Sequence, residues 1–139
     1  MDKIKRNIDT MHSFEATINT CDDKMAEKLI DKNAVFFTPA SPEPLYGGQG
    51  YLSLVRWLRK SFSNIQWHIE DMVVEVDKIA VMWNCHGTND GEFMDHPATN
   101  KEFTTSFMNF YYFNEEGKIT KDLAGAGMIG IFQSLGMKF

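Results

Sequence analysis

Cysteine is nearly absent from the 139 residues: Cys21 and Cys85 are the two in the chain. They show neither redox nor metal-ligand spacing, which excludes a disulfide framework or a CxxC centre and suits reduced thiols in the cytoplasm. Long apolar runs are also missing. Nothing approaches the ~18 residues of a membrane span, and the N-terminal stretch MDKIKRNIDTMHS has no apolar signal-peptide core. Positive charge is in deficit, 14 Lys and Arg against 19 Asp and Glu, for a net charge of −5. With no basic stripe interleaved with aromatics, nucleic acid is excluded as a partner. The four histidines, His12, His68, His86 and His96, show no i,i+4 or His-x-His arrangement with a carboxylate, so neither metal nor cofactor is expected. Repeats, linkers and low-complexity segments are absent, and the length predicts one domain spanning residues 1–139.

Aromatic residues are plentiful: 13% of the chain, with eleven Phe, beside nine Met. That composition permits a large apolar cavity as well as a solid core. The aromatics concentrate in Lys101–Phe113, where Phe103, Phe107, Phe110, Tyr111, Tyr112 and Phe113 stand among Thr, Ser, Met and Asn without Pro or Gly. This pattern predicts a long central strand. Asn114, Glu115, Glu116 and Gly117 supply a turn into a second strand, Lys118–Leu123. The first strand is apolar on both faces, so one face meets a core and the other a second body. If Asn109 faces inward, alternation sends Thr105, Phe107 and Tyr111 with it, and Thr104, Ser106, Met108, Phe110 and Tyr112 outward. An apolar outer face predicts a homodimer.

Ahead of this hairpin, Ile4, Ile8, Met11, Phe14 and Ile18 fall at helical spacing. Asp22 and Asp23 cap a second helix, Lys24–Ile30, and Ala34–Thr38 reads as a short strand. A loop with Pro39, Pro42 and Pro44 ends in Gly47 and Gly48, which allow close backbone approach. Gln49–Phe62 is a third helix. Ile65–Val76 and Ile79–Thr88 are strands joined at Asp77 and Lys78, Asn89–Asn100 is a polar excursion, and Met128–Leu135 is a short apolar close. Helices first and a curled antiparallel sheet after them make an α+β architecture.

Taken together, helix–helix–strand, the YGGQGYLSLVRWL segment, Asp71 followed by Asp77–Trp83, Gly87–Thr88, Gly91–Phe93, Pro97–Lys101, Gly117–Ile119 and the closing Gly130 to Gly136 resemble the SnoaL-like branch of the NTF2-like superfamily. The resemblance implies a cone: N-terminal helices packed in a strongly bent antiparallel sheet, a pocket inside, and a homodimer across the outer sheet face. It also implies where chemistry could sit. In ketosteroid isomerase, a relative whose base and oxyanion donors are a standard case of carboxyl tuning, the positions of the two oxyanion donors and the base fall on Phe14, Asn109 and Thr38. All three are changed here. The polyketide-cyclase pattern in the last strand places its histidine on Asp122 and its later carboxylates on Ala124 and Gly127. Asp122 is the one titratable group left there. It is either a buried acid–base group or a strand-end carboxylate paired with Lys121 or Lys118 in solvent.

A buried Asn109 needs a partner, either a ligand carbonyl or a core group such as water, Tyr46, Trp67 or Trp83. The expected pocket is Phe14, Thr38, Tyr46, Trp57, Trp67, Trp83, Phe107, Asn109, Tyr111 and Asp122, with Asn109, Tyr46, Tyr111 and Asp122 as polar anchors. It would take a small, largely apolar, carbonyl-bearing molecule. The enzymatic alternative is a cyclase, isomerase or lyase with Asp122 as base and Asn109 as oxyanion donor. A third is a dimeric interaction module whose cavity is filled by its own Phe and Met. Cys85 and His86, as strand neighbours, face opposite sides and cannot act as nucleophile and base.

Overall fold

The computed structural model describes residues 2–137. Helix α1 (Lys3–Thr20) starts where the Asp2 carboxylate accepts the amide of Ile4 at 2.9 Å and ends where Cys21 turns left-handed, φ 54°. Its buried stripe is Asn7, Met11, Phe14, Thr17 and Ile18. Asn7 takes an inward place that the apolar spacing gave to Ile4 and Ile8, because its amide donates to the Val76 carbonyl at 2.7 Å. Helix α2 (Asp23–Leu29) is capped by Asp22, which accepts from Met25 at 3.1 Å. Strand β1 (Ile30–Phe37) begins four residues before the expected Ala34: Ile30 pairs with Ile119, and the polar Asp31, Lys32 and Asn33 lie in the register shift before Val35 pairs with Lys121. The two-residue β2 (Leu45–Tyr46), not expected, pairs with β1 and leads into α3 (Gly47–Ser61). Gly47 has φ +68°, and a side chain on Gly48 would meet Ala26 at 3.1 Å, so the paired glycines seat α3 on α2.

Then come β3 (Gln66–Val74), β4 (Lys78–Thr88), β5 (Glu102–Phe113) and β6 (Ile119–Ala124), and α4 (Gly127–Ser134) closes the chain. The expected short apolar close is thus a helix. The six strands form one curved sheet in the order β2-β1-β6-β5-β4-β3. Its pairings are antiparallel except β1 with β6, which is parallel. This is the NTF2-like cone, α+β, with the helices held in the bend.

The bend has visible causes. A register shift falls between Ile69 and Asp71 in β3 and another between Tyr112 and Phe113 in β5, and such irregularities increase local twist. The β3 edge is covered by α1. Asn19 grips the Trp67 backbone from both sides at 2.8 Å, and Glu15 accepts the amide of Ile69 at 2.7 Å. Side chains of a helix therefore supply the partners that a seventh strand would have given. Gly117 takes φ +83° in the β5–β6 turn, as its place there required.

Alternation along β5 follows the period of two. Asn109, Tyr111 and Phe113 are buried, while Thr104, Ser106, Met108 and Phe110 are exposed. The core on the inner face gathers Met11, Phe14 and Ile18 of α1 against Phe36, Ile79, Val81, Trp83, Tyr111 and Ile119. Among the described residues no helix is long and apolar enough to cross a membrane.

Candidate functional site

A cavity of about 840 Å³ opens between α3, the inner sheet face and the loop before β5. Its walls are set by helical and strand periods acting together. From α3 come Tyr51, Leu54, Val55 and Leu58, with Phe62 just beyond, at i, i+3, i+4, i+7 and i+11. From the sheet come Trp67, Cys85, Phe103, Phe107, Asn109 and Asp122. Thr38, Pro39 and Ala40 follow β1, Ala124 ends β6, and Gly125, Ala126 and Ile129 lie at or just before the start of α4. At the mouth lie Asn89, Phe93, His96, Thr99, Lys101 and Glu102.

The mouth loop is held in shape by Asn89. Its amide donates to the carbonyls of Ser61 and Gly91, and its oxygen accepts from the Thr99 amide and hydroxyl at 3.0 and 2.9 Å. Aromatic edges continue the fastening: Trp57 meets Phe93 at 5.5 Å with the rings tilted by 49°, Phe93 meets Phe62 at 5.0 Å, and Phe62 meets Phe103 at 5.1 Å. The polar excursion of the sequence is therefore a built rim.

At the inner end stands Asp122, 2% exposed. Cross-strand register puts it between Phe36 of β1 and Tyr111 of β5, in an apolar row. Burial pushes its carboxyl up to about 7, and a hydrogen bond from the Asn109 amide at 2.7 Å pulls the other way. The alternative of a solvent-exposed carboxylate paired with Lys121 or Lys118 is not the arrangement found. Asn109, 5% exposed, spends its NH₂ on Asp122, while its carbonyl oxygen is buried with no donor from the described residues. Its amide partner is thus Asp122 rather than Tyr46, Trp67 or Trp83.

Around the pair sit two phenols, Tyr51 and Tyr111, both pushed up by burial first and then by the Asp122 charge. They stay protonated and can act only as neutral hydroxyls. Tyr111 accepts the indole N–H of Trp83 at 3.0 Å. Cys85 faces the cavity with its thiol pushed up to about 12 by burial, while His86 points to the opposite face.

Of the ten pocket residues expected from sequence, Thr38, Trp67, Phe107, Asn109 and Asp122 line the cavity. Phe14 and Trp83 lie behind the wall as core, packed on Tyr111 with ring centroids 5.5 and 6.4 Å away. Tyr111 faces inward, yet it stands in that second layer and does not line the cavity. Trp57 and Tyr46 are outside, 38% and 63% exposed, because α3 turns its other stripe inward and β2 is a two-residue edge. The sequence reading passed over Tyr51 as a site residue, although the i, i+3, i+4, i+7 spacing of Tyr51, Leu54, Val55 and Leu58 carried the signal. Among the described residues no group of three or more His, Cys, Asp or Glu could hold a metal ion.

A family model described as SnoaL-like polyketide cyclase matches residues 8–135. No functionally curated protein matches the sequence. Among solved structures, IdmH of Streptomyces antibioticus, a proposed polyketide cyclase, is similar at TM-score 0.77 and 22% identity, covering 94% of this chain and 99% of that one. A proposed SnoaL-like polyketide cyclase from Jannaschia sp. CCS1 has TM-score 0.76 and 13% identity, covering 100% and 97%. AclR of Streptomyces galilaeus, a proposed hydroxylase, has TM-score 0.71 and 18% identity, covering 96% and 82%. At such identities the likeness is one of fold.

Proposed function

The chain belongs to the SnoaL-like polyketide cyclase family, and from that premise we propose that its cone binds a small, largely apolar, carbonyl-bearing molecule and that Asp122 moves a proton beside the carbonyl. The observation that carries this is a carboxyl at the inner end of an apolar cavity, 2% exposed and pushed up to about 7. A carboxyl in that range is shared between acid and base near neutral pH, which suits proton transfer in either direction. A C–H bond next to the carbonyl breaks, its proton goes to Asp122, and the electron pair moves to the carbonyl oxygen as an enolate. Tyr51, a neutral hydroxyl on the same wall, is the donor offered to that oxygen. Asn109 acts on the carboxyl, holding and orienting it, rather than as the oxyanion donor that the sequence suggested. An enolate conjugated with a C=C bond takes the proton back from Asp122 at a more distant carbon, an isomerisation; alternatively the enolate carbon attacks a second carbonyl carbon and the resulting alkoxide takes the Asp122 proton, a ring closure.

A binding role without chemistry is the second reading, favoured by Ala124 and Gly127 standing where the family pattern has carboxylates. The two readings separate in one experiment. Flat cyclic ketones and linear polyketones are screened by thermal shift, and hits are assayed for turnover with wild type and Asp122→Asn. Loss of turnover by about 10²–10⁴-fold with binding retained supports the proton-transfer role. Equal turnover in the two proteins ends it, and stabilisation with no turnover in either leaves the binder. The exposed Met108 and Phe110 of the outer face favour a homodimer, and two free cysteines suit a cytoplasmic setting.

A further inference from the structure

His68 on β3 and His86 on β4 meet on the sheet face opposite the cavity. Gln66 stands across from His86 and His68 across from Asn84, so the imidazoles approach on the diagonal of the ladder. Their Nε2 atoms are 3.2 Å apart, with ring planes 15° from parallel and centroids 5.2 Å apart. On the far side of β4, Thr104 is the cross-strand neighbour of His86. The immediate neighbours Gln66, Asn84 and Thr104 are uncharged, so no carboxylate or ammonium explains the pairing. Two such nitrogens can share one proton as donor and acceptor. A metal ion satisfies both lone pairs at once. Two imidazole nitrogens each ~2.0–2.1 Å from one ion stand about 2.9 Å apart at a right angle and about 3.3 Å at the tetrahedral angle. The observed separation falls between these limits.

We propose that His68 and His86 form a bidentate surface site for a late first-row divalent ion, Cu²⁺, Ni²⁺ or Zn²⁺, separate from the cavity. Imidazole nitrogen suits these ions and not Mg²⁺ or Ca²⁺, which take oxygen. Among the described residues no third His, Cys, Asp or Glu completes a metal-holding group, so water fills the remaining positions. Ligand spacing along the chain gives no sign of this pair, because the β3–β4 register makes it.

The test is calorimetric titration of the full chain with CuCl₂, NiCl₂ and ZnCl₂, in wild type, His68→Ala, His86→Ala and the control His96→Ala. Joining two ligands on one scaffold makes the second bond intramolecular, so each site variant loses on the order of 10²-fold in affinity. His96→Ala keeps wild-type affinity, and Cu²⁺ binds tightest of the three. Electron paramagnetic resonance of the wild-type Cu²⁺ complex shows two imidazole nitrogens, independently of any variant. Wild-type affinity in either site variant, or a single coordinated nitrogen in the wild-type spectrum, overturns the site.

Discussion

Asn109 donates its amide to the Asp122 carboxyl across 2.7 Å, and the two side chains are 5% and 2% exposed. That bond favours the ionised form and opposes the burial that raises the carboxyl to about 7. Asn109→Leu removes the donor and keeps the volume, so burial then acts unopposed. The titration midpoint of Asp122 moves above 7, followed by carboxyl ¹³C NMR or by the pH–rate profile of any activity. A midpoint that stays put or falls would show that the bond does not tune the acid.

The same raised carboxyl makes folding stability depend on pH, with a definite sign. In the unfolded chain Asp122 ionises near its ordinary value of 3.8, while in the fold it keeps its proton until about 7. Between those values the unfolded state binds fewer protons, so stability falls as pH rises from about 4 to 7 and levels off above. The loss is up to about 4 kcal/mol for a shift of this size. Asp122→Asn cannot ionise, so its Tm exceeds that of wild type at pH 8 and the gap closes toward pH 4. Parallel Tm curves for the two proteins across that range would refute the assignment.

The pairing behind both predictions was out of reach of the sequence. Alternation within β5 was legible, because a period of two needs only the strand itself, and it placed Asn109 and Phe107 on the cavity face. That Asp122 would be the partner of Asn109 depends on the β5–β6 register, in which Asn109 stands opposite Ala124 and Tyr111 opposite Asp122. Trp57 and Tyr51 show a different limit. Both lie on α3 among apolar residues, and which stripe turns inward is decided by α2 and the glycine contact with Ala26. The start of β1 was missed because Asp31, Lys32 and Asn33 carry no apolar signal, yet Ile30 pairs with Ile119.

On the outer face, Met108 and Phe110 of β5 are 65% and 50% exposed, with Met82 of β4 directly across from Met108. Covered by a second copy, this surface leaves water. Phe110→Lys places like charges against each other in a two-fold dimer and shifts the association constant by tenfold or more in effect, roughly 1–3 kcal/mol. Sedimentation equilibrium at micromolar concentration reads the change, wild type sedimenting as a dimer and the variant as a monomer. A wild-type protein that sediments as a monomer rejects the dimer.

Cys85 offers a readout of the cavity that requires no knowledge of the ligand. The residue is 4% exposed and lines the cavity wall, and burial raises its thiol from 9.0 to about 12. The thiolate is the reactive form, so at pH 8 a shift of this size cuts the thiolate population by about 10³-fold. Cys21, at the left-handed end of α1, is half-buried and more open to a reagent than the buried Cys85. An aromatic disulfide reagent at pH 8 therefore modifies one thiol quickly and the other slowly. Cys21→Ala removes the fast phase and Cys85→Ser the slow one. A molecule seated in the cavity slows the Cys85 phase further and leaves the Cys21 phase unchanged, because only Cys85 shares the cavity wall with Trp67 and Phe107. Equal rates at the two thiols, or protection of both by the same molecule, would mean that the cavity is not what shields Cys85.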